Sequence, residues 1–530
     1  MGCNQSLVRE RSSRGPSLLP ATRSRGLFVL EVIQAEHLPK MDAVGMTDAY
    51  AEVSMIDAIT HIPIATQKTL PCDWTLNPVL HSYLAFRFIP AEDDVIFIRL
   101  WDNDVLHDEK IGTVSITFKD LRSRLGEPIE IPLRMESRSR SFDGRPPTLS
   151  FRLVKCETHV DPRTNNVALG RAVSMSPKNK MSLAPKSPPQ ELCWKDVFII
   201  RHGESKWNEA TKTGNVVDLV HQYDHELTLR GIKEAQRLNL CWTELGDADT
   251  KACKVMGMDE KSAQHVKEFL SAGEIYCSPF TRALQTAFIA CEGHPVLHRK
   301  GMTLLRNIRE VKNFGSFDSV GQCSGEDIVP RAKACLATEL KDAGRAAELC
   351  NVNVDVNDAV GHWWSRLEVK EDQEHVARRL REVFASLRFR TDADVIILCG
   401  HSNFFHQMVK NHLSDDLRRR SPEWAFTLEN MKLANGGCMK LSFEWNDMNP
   451  MAPPVINNAE LVFGSRMQDK KRHKSRASDN RLTHTAHTEE NKKSSFRNNR
   501  SRTSWGSNRS APIRKEHIEV NLKKSVSSLQ

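Results

Sequence analysis

From residue 157 to 193 the apolar pattern of the chain stops, and the stretch, with "SMSPKNKMSLAPKSPPQ" at its centre, is rich in Pro, Ser and Lys. Such a composition buries too little apolar surface to order itself and reads as a linker. It divides 530 residues into two stretches that can each enclose a core, so a multidomain chain is expected rather than one continuous hydrophobic interior.

The spacing of apolar residues differs on the two sides of the linker. Residues 26–156 contain short β-segments ("GLFVLEVI", "DAYAEVSMI", "YLAFRFI", "VIFIRLWD", "GTVSITF", "LSFRLVKC") separated by polar turns, the pattern of an antiparallel β-sandwich. Residues 194–464 alternate strand-like and helix-like runs, which predicts an α/β domain with a mostly parallel sheet covered by helices. The first 25 residues are rich in Arg and Ser, and residues 465–530 are polar and basic; both are expected to be disordered.

Charge follows the same division. The tail holds 17 Lys and Arg against 6 Asp and Glu, so the formal net charge of +8 arises there and the rest sums to −3. A basic globular face for nucleic acid is therefore not expected. No run approaches the ~18 apolar residues of a membrane span. The 13 cysteines include no C-x-x-C pair, which argues against a disulfide framework or zinc ribbon and points to a cytoplasmic setting. Met1-Gly2-Cys3-Asn4-Gln5-Ser6 fits the myristoylation pattern at Gly2, with Cys3 placed for palmitoylation. Two acyl chains beside arginines would hold the chain to the cytosolic face of a bilayer as a peripheral protein.

Two loops of the first domain collect aspartates: Asp42 and Asp48 in "KMDAVGMTDAY", and Asp102, Asp104 and Asp108 in "WDNDVLHDEKIG". Calcium takes six to eight oxygen ligands in flexible geometry, and facing loops of carboxylates supply them. Solvated turns are the alternative, since Asp is a common turn former. The segments "LPKMDAVGMTDAYAEV", "LNPVLHSYLAFRF" and "IRLWDNDVLHDEKIG" resemble the C2 domain, in the permuted variant whose closing strand is carboxy-terminal, here Thr148–Val154. That resemblance implies calcium-dependent docking on anionic phospholipid through Asp42, Asp48, Asp102, Asp104 and Asp108, with Glu109 as an alternative last ligand.

In the second domain "DVFII" delivers Arg201 and His202 at a strand end, "ADVIILCG" delivers His401, "IYCSPFTRALQTA" carries Arg282, and "LLRNIREVKNFGSFD" carries Glu310. Ligands of open α/β sheets sit at the carboxyl ends of strands, so these residues are expected to share a pocket. For a phosphoryl group each has a use. His202 is a nucleophile, Arg201 and Arg282 are planar forks for phosphate oxygens, and His401 as imidazolium is a further donor. Gly203 would admit the phosphate closely, and Ser205 and Asn208 would donate to it. Glu310 is the chosen proton donor, with Asp318 and Glu326 competing for the role.

"RHGESKWN", "HELTLRGIKEAQRL", "SPFTRALQTA", "REVKNFG", "CGHSNFF" and "KLANGGCMKLSF" resemble the histidine phosphatase superfamily, which includes the phosphoglycerate mutases. The resemblance implies a three-layer α/β/α fold, a phosphohistidine at His202, a phosphate pocket of Arg201, Arg282 and His401, a proton donor at Glu310, and no cofactor for the chemistry. About thirty residues that precede the Arg282 strand alter the substrate loops. Transfer to water is therefore expected over mutase action, because a mutase must shield its intermediate from hydrolysis. The sum is a membrane-recruited phosphatase acting on a protein, phosphoinositide or small ester; the alternatives are a non-catalytic adaptor that binds phosphorylated ligands, or a mutase.

Overall fold

The computed structural model describes residues 23–41, 46–72, 75–104, 107–135, 144–158, 193–213, 223–246, 260–312, 321, 323–340, 343–360, 363, 371–446 and 449–469. Gly2, Cys3, Asp42 and Asp318, nearly all of the linker, and the tail from residue 470 lie outside the described residues.

The first domain is two packed antiparallel sheets. Its strands are β1 (Arg25–Glu36), β2 (Ala49–Ile56), β3 (Pro63–Lys68), β4 (Val79–Phe88), β5 (Val95–Asp102), β6 (Glu109–Thr117), β7 (Ile129–Pro132), β8 (Arg134–Met135) and β9 (Thr148–Thr158). The orders are β4-β1-β9-β7 and β3-β2-β5-β6-β8. In β5 every second residue, Ile96, Ile98 and Leu100, is buried between the sheets, the period-2 burial of a strand with one face in a core. The last strand, β9, pairs antiparallel along the whole of β1.

The second domain is a seven-stranded sheet built from β10 (Cys193–Arg201), β11 (Glu274–Cys277), β12 (Met302–Leu304), β13 (Val354–Asp355), β14 (Val395–Gly400), β16 (Cys438–Trp445) and β17 (Val455–Val462), in the order β13-β12-β11-β14-β10-β16-β17. The pairings from β13 to β10 are parallel, and β16 and β17 add an antiparallel edge. A further pair, β15 (Lys432–Leu433) with β18 (Met467–Gln468), carries the domain past residue 464. Successive residues of β10 enter opposite cores: Phe198 and Ile200 meet the helices Leu229–Gly246 and Thr281–Ala290, whereas Val197 and Ile199 meet Gln373–Phe389 and Ser402–His412. A strand covered on both faces must be apolar throughout, and for that reason "VFII" shows no alternation.

The two domains are docked within one compact unit. Val29, Tyr83 and Ala85, on the outer face of β1 and β4, pack against Ala385 and Phe389 of the Gln373–Phe389 helix. This contact buries Val29, Tyr83 and Ala85, so these two strands carry apolar residues on their outer face as well as on the inner one. Polar groups cross the same interface: Ala85 N–H donates to Met451 Sδ at 3.4 Å and Arg306 donates to the Leu80 carbonyl at 3.1 Å.

Glu382 lies on that helix with Ser82 as a partner from the sandwich, and burial pushes its carboxyl up to about 7 against the pull of Ser82 and Arg306. The fold thus holds this proton more tightly than the unfolded chain, where the carboxyl titrates near 4.5. Its contribution to stability is present below that value and is lost as pH rises through about 7. Glu382→Gln is expected to stabilise the protein by roughly 1–3 kcal/mol at pH 8 and to change little at pH 4, measured by chemical denaturation at the two pH values.

Candidate functional site

β10 and β14 run parallel with Arg201 opposite Gly400, so His202 and His401 leave adjacent strands side by side. Their ring centroids are 5.1 Å apart, both residues are buried, and the His202 N–H donates to the Gly400 carbonyl at 3.0 Å. His202 Nδ1 lies 2.7 Å from the Gly203 carbonyl. A carbonyl can only accept, so Nδ1 bears the proton and Nε2 holds the lone pair. His401 Nε2 exchanges a 2.7 Å hydrogen bond with Ser278 Oγ, and Phe280 stands edge-on to its ring at 5.3 Å.

Arg282 is fully buried in the first turn of the Thr281–Ala290 helix, with its guanidinium over the Phe280 ring at 4.6 Å. Arg201 is also buried and donates to the Leu433 carbonyl at 2.6 Å. The two cations act on both histidines. Burial, then Arg282 and Arg201, hold the His202 imidazole well below its ordinary value, and the Gly203 carbonyl opposes them. Burial and Arg282 do the same to His401, with His202, Arg379 and Arg201 adding to them. The expectation of an imidazolium at His401 is therefore corrected: in the free protein it is neutral, because its site is buried and already cationic.

Gly203 also departs from expectation. A Cβ there would stand 2.4 Å from the Gly231 carbonyl, and the Gly203 N–H donates to Thr286 Oγ1 at 3.0 Å. The glycine lets the strand end meet the Leu229–Gly246 helix rather than admitting a ligand. Ser205 and Asn208 bond each other: Ser205 N–H donates to Asn208 Oδ1 at 3.3 Å, and Asn208 N–H donates to Ser205 Oγ at 3.3 Å. Asn435 Nδ2 donates to the same Oδ1 at 3.3 Å, which leaves the Asn208 amide NH2 as its donor end.

Glu310 is buried at the start of the Ser402–His412 helix. Its Oε1 accepts the N–H groups of Val311 at 2.8 Å, Asn403 at 3.1 Å and Phe404 at 3.1 Å, and Oε2 shares the Asn403 N–H at 3.3 Å. The carboxylate thus caps the helix that follows His401. The neighbouring segment is clamped by Glu371, which accepts from Lys312 N at 3.0 Å, Arg309 at 3.3 Å and Arg379 at 3.0 Å. The competing Glu326 is exposed in the first turn of the Gly325–Leu340 helix.

Sequence reasoning missed four contributors. Ser278 and Thr286 orient His401 and Gly203. The third, Asp224, accepts from Thr281 N at 2.8 Å and from its hydroxyl at 2.5 Å, and Arg331 donates to it at 2.5 Å. Burial raises the Asp224 carboxyl, with Thr281 first in opposing it. The fourth, His225, meets Trp207 edge-on at 5.3 Å. Short polar residues inside helical or loop patterns carry no periodic signal. The "SP" before "FTRALQTA" was the one available cue.

At the sandwich edge Asp48 N–H donates to Asp102 Oδ1 at 2.7 Å, and Tyr50 OH donates to Asp108 Oδ2 at 2.6 Å. Asp104 follows Asp102 on the same loop. Oxygen-only donors suit calcium. Among the described residues, however, no three His, Cys, Asp or Glu side chains come together as a metal cage.

Residues 26–133 match the family model of the C2 domain. The chain is 31% identical over 93 residues to Synaptotagmin-4 of Arabidopsis thaliana, covering 18% of this chain and 16% of the relative. It is 23% identical over 111 residues to the Calcium-dependent lipid-binding protein of the same plant, covering 21% of each. It thus spans about a fifth or less of the curated relatives it matches. Among solved structures, a C2 domain of plant Extended Synaptotagmin 1 aligns with 26% of this chain and 99% of that one at 19% identity and a TM-score of 0.22. A structure described as "Structure of a C2 domain" aligns with 24% of this chain and 97% of that one at 18% identity and a TM-score of 0.18. The first domain is a C2 domain with the antiparallel sandwich its sequence predicts.

Gly203→Ala is expected to destabilise the second domain by about 1–3 kcal/mol or more, since backbone on both sides must move. Thermal unfolding against the wild type measures it, and an unchanged melting temperature would show that the Gly231 contact yields freely.

Proposed function

We propose that the second domain hydrolyses phosphate monoesters through a phosphohistidine at His202, and that acylation at Gly2 and Cys3 and the C2 domain bring it to the cytosolic face of an anionic membrane. The observation that carries the reading is a pair of buried neutral imidazoles flanked by two buried arginines at the carboxyl ends of adjacent parallel strands. Two guanidiniums beside a lone pair on the nucleophile suit a dianion.

In this mechanism Arg201 and Arg282 hold the phosphate oxygens, and the Nε2 lone pair of His202 attacks phosphorus. The positive charge that develops on the ring is shared with the Gly203 carbonyl through Nδ1–H. As the P–O bond breaks, the leaving oxygen takes a proton from Glu310, which enters the cycle protonated on Oε2 while Oε1 stays on the helix N–H groups. Water then attacks the phosphohistidine and gives its proton back to the Glu310 carboxylate, so phosphate departs and neutral His202 returns. His401, held by Ser278, donates a hydrogen bond to the phosphate and gains a proton only when the dianion is bound. The guanidiniums and imidazoles of the pocket supply the charge stabilisation in this scheme.

For recruitment, the name of the Arabidopsis relative attributes calcium-dependent lipid binding to that protein, and we extend that property to this chain. Asp48, Asp102, Asp104 and Asp108, with Asp42, would supply oxygen ligands to calcium, whose charge would attract anionic phospholipid headgroups.

His202→Ala should lower phosphate release by at least about a thousand-fold against phosphopeptides, phosphoinositides and sugar phosphates; equal rates on every substrate would rule out His202 as the nucleophile. Since the neutral imidazole is the nucleophile and its titration lies well below 6.5, the acid limb of kcat/KM should fall below that pH. Asp102→Asn with Asp104→Asn should abolish calcium-dependent sedimentation with phosphatidylserine vesicles while leaving hydrolysis of a soluble ester intact.

A further inference from the structure

We infer that Glu371 and Arg379 are positioning residues for the proposed acid: the buried pair holds the Glu310 segment in place and sets how firmly Glu310 keeps its proton; this rests on the phosphatase reading above. Glu310 lies between two residues that Glu371 grips. On one side, Glu371 Oε1 accepts from Arg309 at 3.3 Å. On the other, Oε2 accepts the Lys312 N–H at 3.0 Å, and the Glu371 N–H donates to the Lys312 carbonyl at 3.2 Å. Arg379, on the Gln373–Phe389 helix, closes the clip. It donates to Glu371 Oε2 at 3.0 Å and to the Arg309 carbonyl at 3.1 Å, and its guanidinium lies over the Phe404 ring at 5.1 Å. Phe404 in turn donates its N–H to Glu310 Oε1.

Glu371, Arg379 and Glu310 are all buried, so little water screens the charges that act on the acid. Arg379 faces Glu310 from its helix. Lys432 faces it from β15, where it also donates to Asn403 Oδ1. Arg309 and Lys312 flank it along the chain, and the Ser402–His412 helix, with His401 just before it, meets it with N–H groups. The cations and the helix N-terminus favour the carboxylate over the acid. Glu371 opposes them. Burial works against its ionisation, but Arg379 and Arg309 prevail and hold its carboxyl below the ordinary value. A negative charge at that place cancels guanidinium charge and lets Glu310 hold the proton that the leaving oxygen takes.

The sign of each change follows. Without the charge of Glu371, Arg309 and Arg379 act on Glu310 unopposed, and its proton leaves at lower pH. Without Arg379 the surroundings are more negative, and the proton is kept to higher pH. A pair that only supported the fold would lower activity in both cases and would not move one pH limb in two directions.

The test uses the full chain and glycerol 2-phosphate, a monoester whose alkoxide leaving group requires a proton. The basic limb of kcat/KM reports loss of that proton from the free protein. Glu371→Gln should move the limb down by roughly one pH unit and Arg379→Met should move it up by about as much, with the double variant close to the wild type. The acid limb, where His202 has Arg282 and Arg201 as charged neighbours, should stay in place. Limbs that do not move, or that move the same way in both single variants, overturn the proposal. Arg309→Gln alters the least enclosed member of the cluster, its side chain 15% exposed against 4% for Glu371 and 5% for Arg379. It should move the limb up, and an unmoved limb overturns the proposal should the buried variants not fold. Carbon-13 NMR of the Glu310 carboxyl, assigned with Glu310→Gln, reads the same titration without catalysis. In a His202→Ala background that titration should fall with Glu371→Gln and rise with Arg379→Met. If hydrolysis proves independent of His202, the phosphatase reading falls, and the carboxyl titration alone upholds or overturns the role of the pair.

Discussion

The in-register parallel pairing of β10 with β14 is the constraint on which the site depends. Because Arg201 faces Gly400, the next residue on each strand is a histidine, and the two rings meet at 5.1 Å. A slip of one residue would send each imidazole to the opposite face of the sheet. The register is kept by side chains that have no other place to go. Val197 and Ile199 fill one core and Phe198 and Ile200 the other, so a shifted strand would exchange two well-packed sets. Chemistry at the strand ends is thus fixed by packing beneath it.

Electrostatics then sets the character of the pocket. Two buried guanidiniums and two buried imidazoles cannot all be charged, and the imidazoles yield first because their ordinary titration is nearest neutrality. The Gly203 carbonyl chooses which nitrogen of His202 keeps its proton. Asp224 balances part of the positive charge at one remove, through Thr281 and Arg331. In the proposed mechanism a phosphate dianion would meet these guanidiniums and the lone pair on His202 Nε2.

Much of this was legible in the sequence, for stated reasons. Strands buried on both faces are continuous apolar runs, so β10 and β14 announced themselves, and the residues that close them, Arg201, His202 and His401, could be assigned to one sheet edge. Short β-segments separated by polar turns gave the sandwich. What stayed hidden depended on contacts between distant segments. The charge state of His401 follows from Arg282 and Arg201 in space rather than from its own neighbours. The role of Gly203 is set by Gly231, on a helix that begins well along the chain. Docking of the sandwich could not be read because the apolar outer residues Val29, Tyr83 and Ala85 look like ordinary strand positions until the Gln373–Phe389 helix covers them. The short strands β3, β7 and β8 have too few residues to show a period.

In the proposed mechanism His202 Nε2 forms a covalent bond to phosphorus. Rapid quenching of the full-length protein at alkaline pH during turnover of a phosphorus-32-labelled monoester, followed by peptide mapping, tests it most directly. Acid-labile, alkali-stable label is expected on the peptide that contains His202, with the phosphoryl group on Nε2. Label on Nδ1 or on another residue, or turnover with no trapped phosphohistidine under conditions where the second step is slowed, would contradict it.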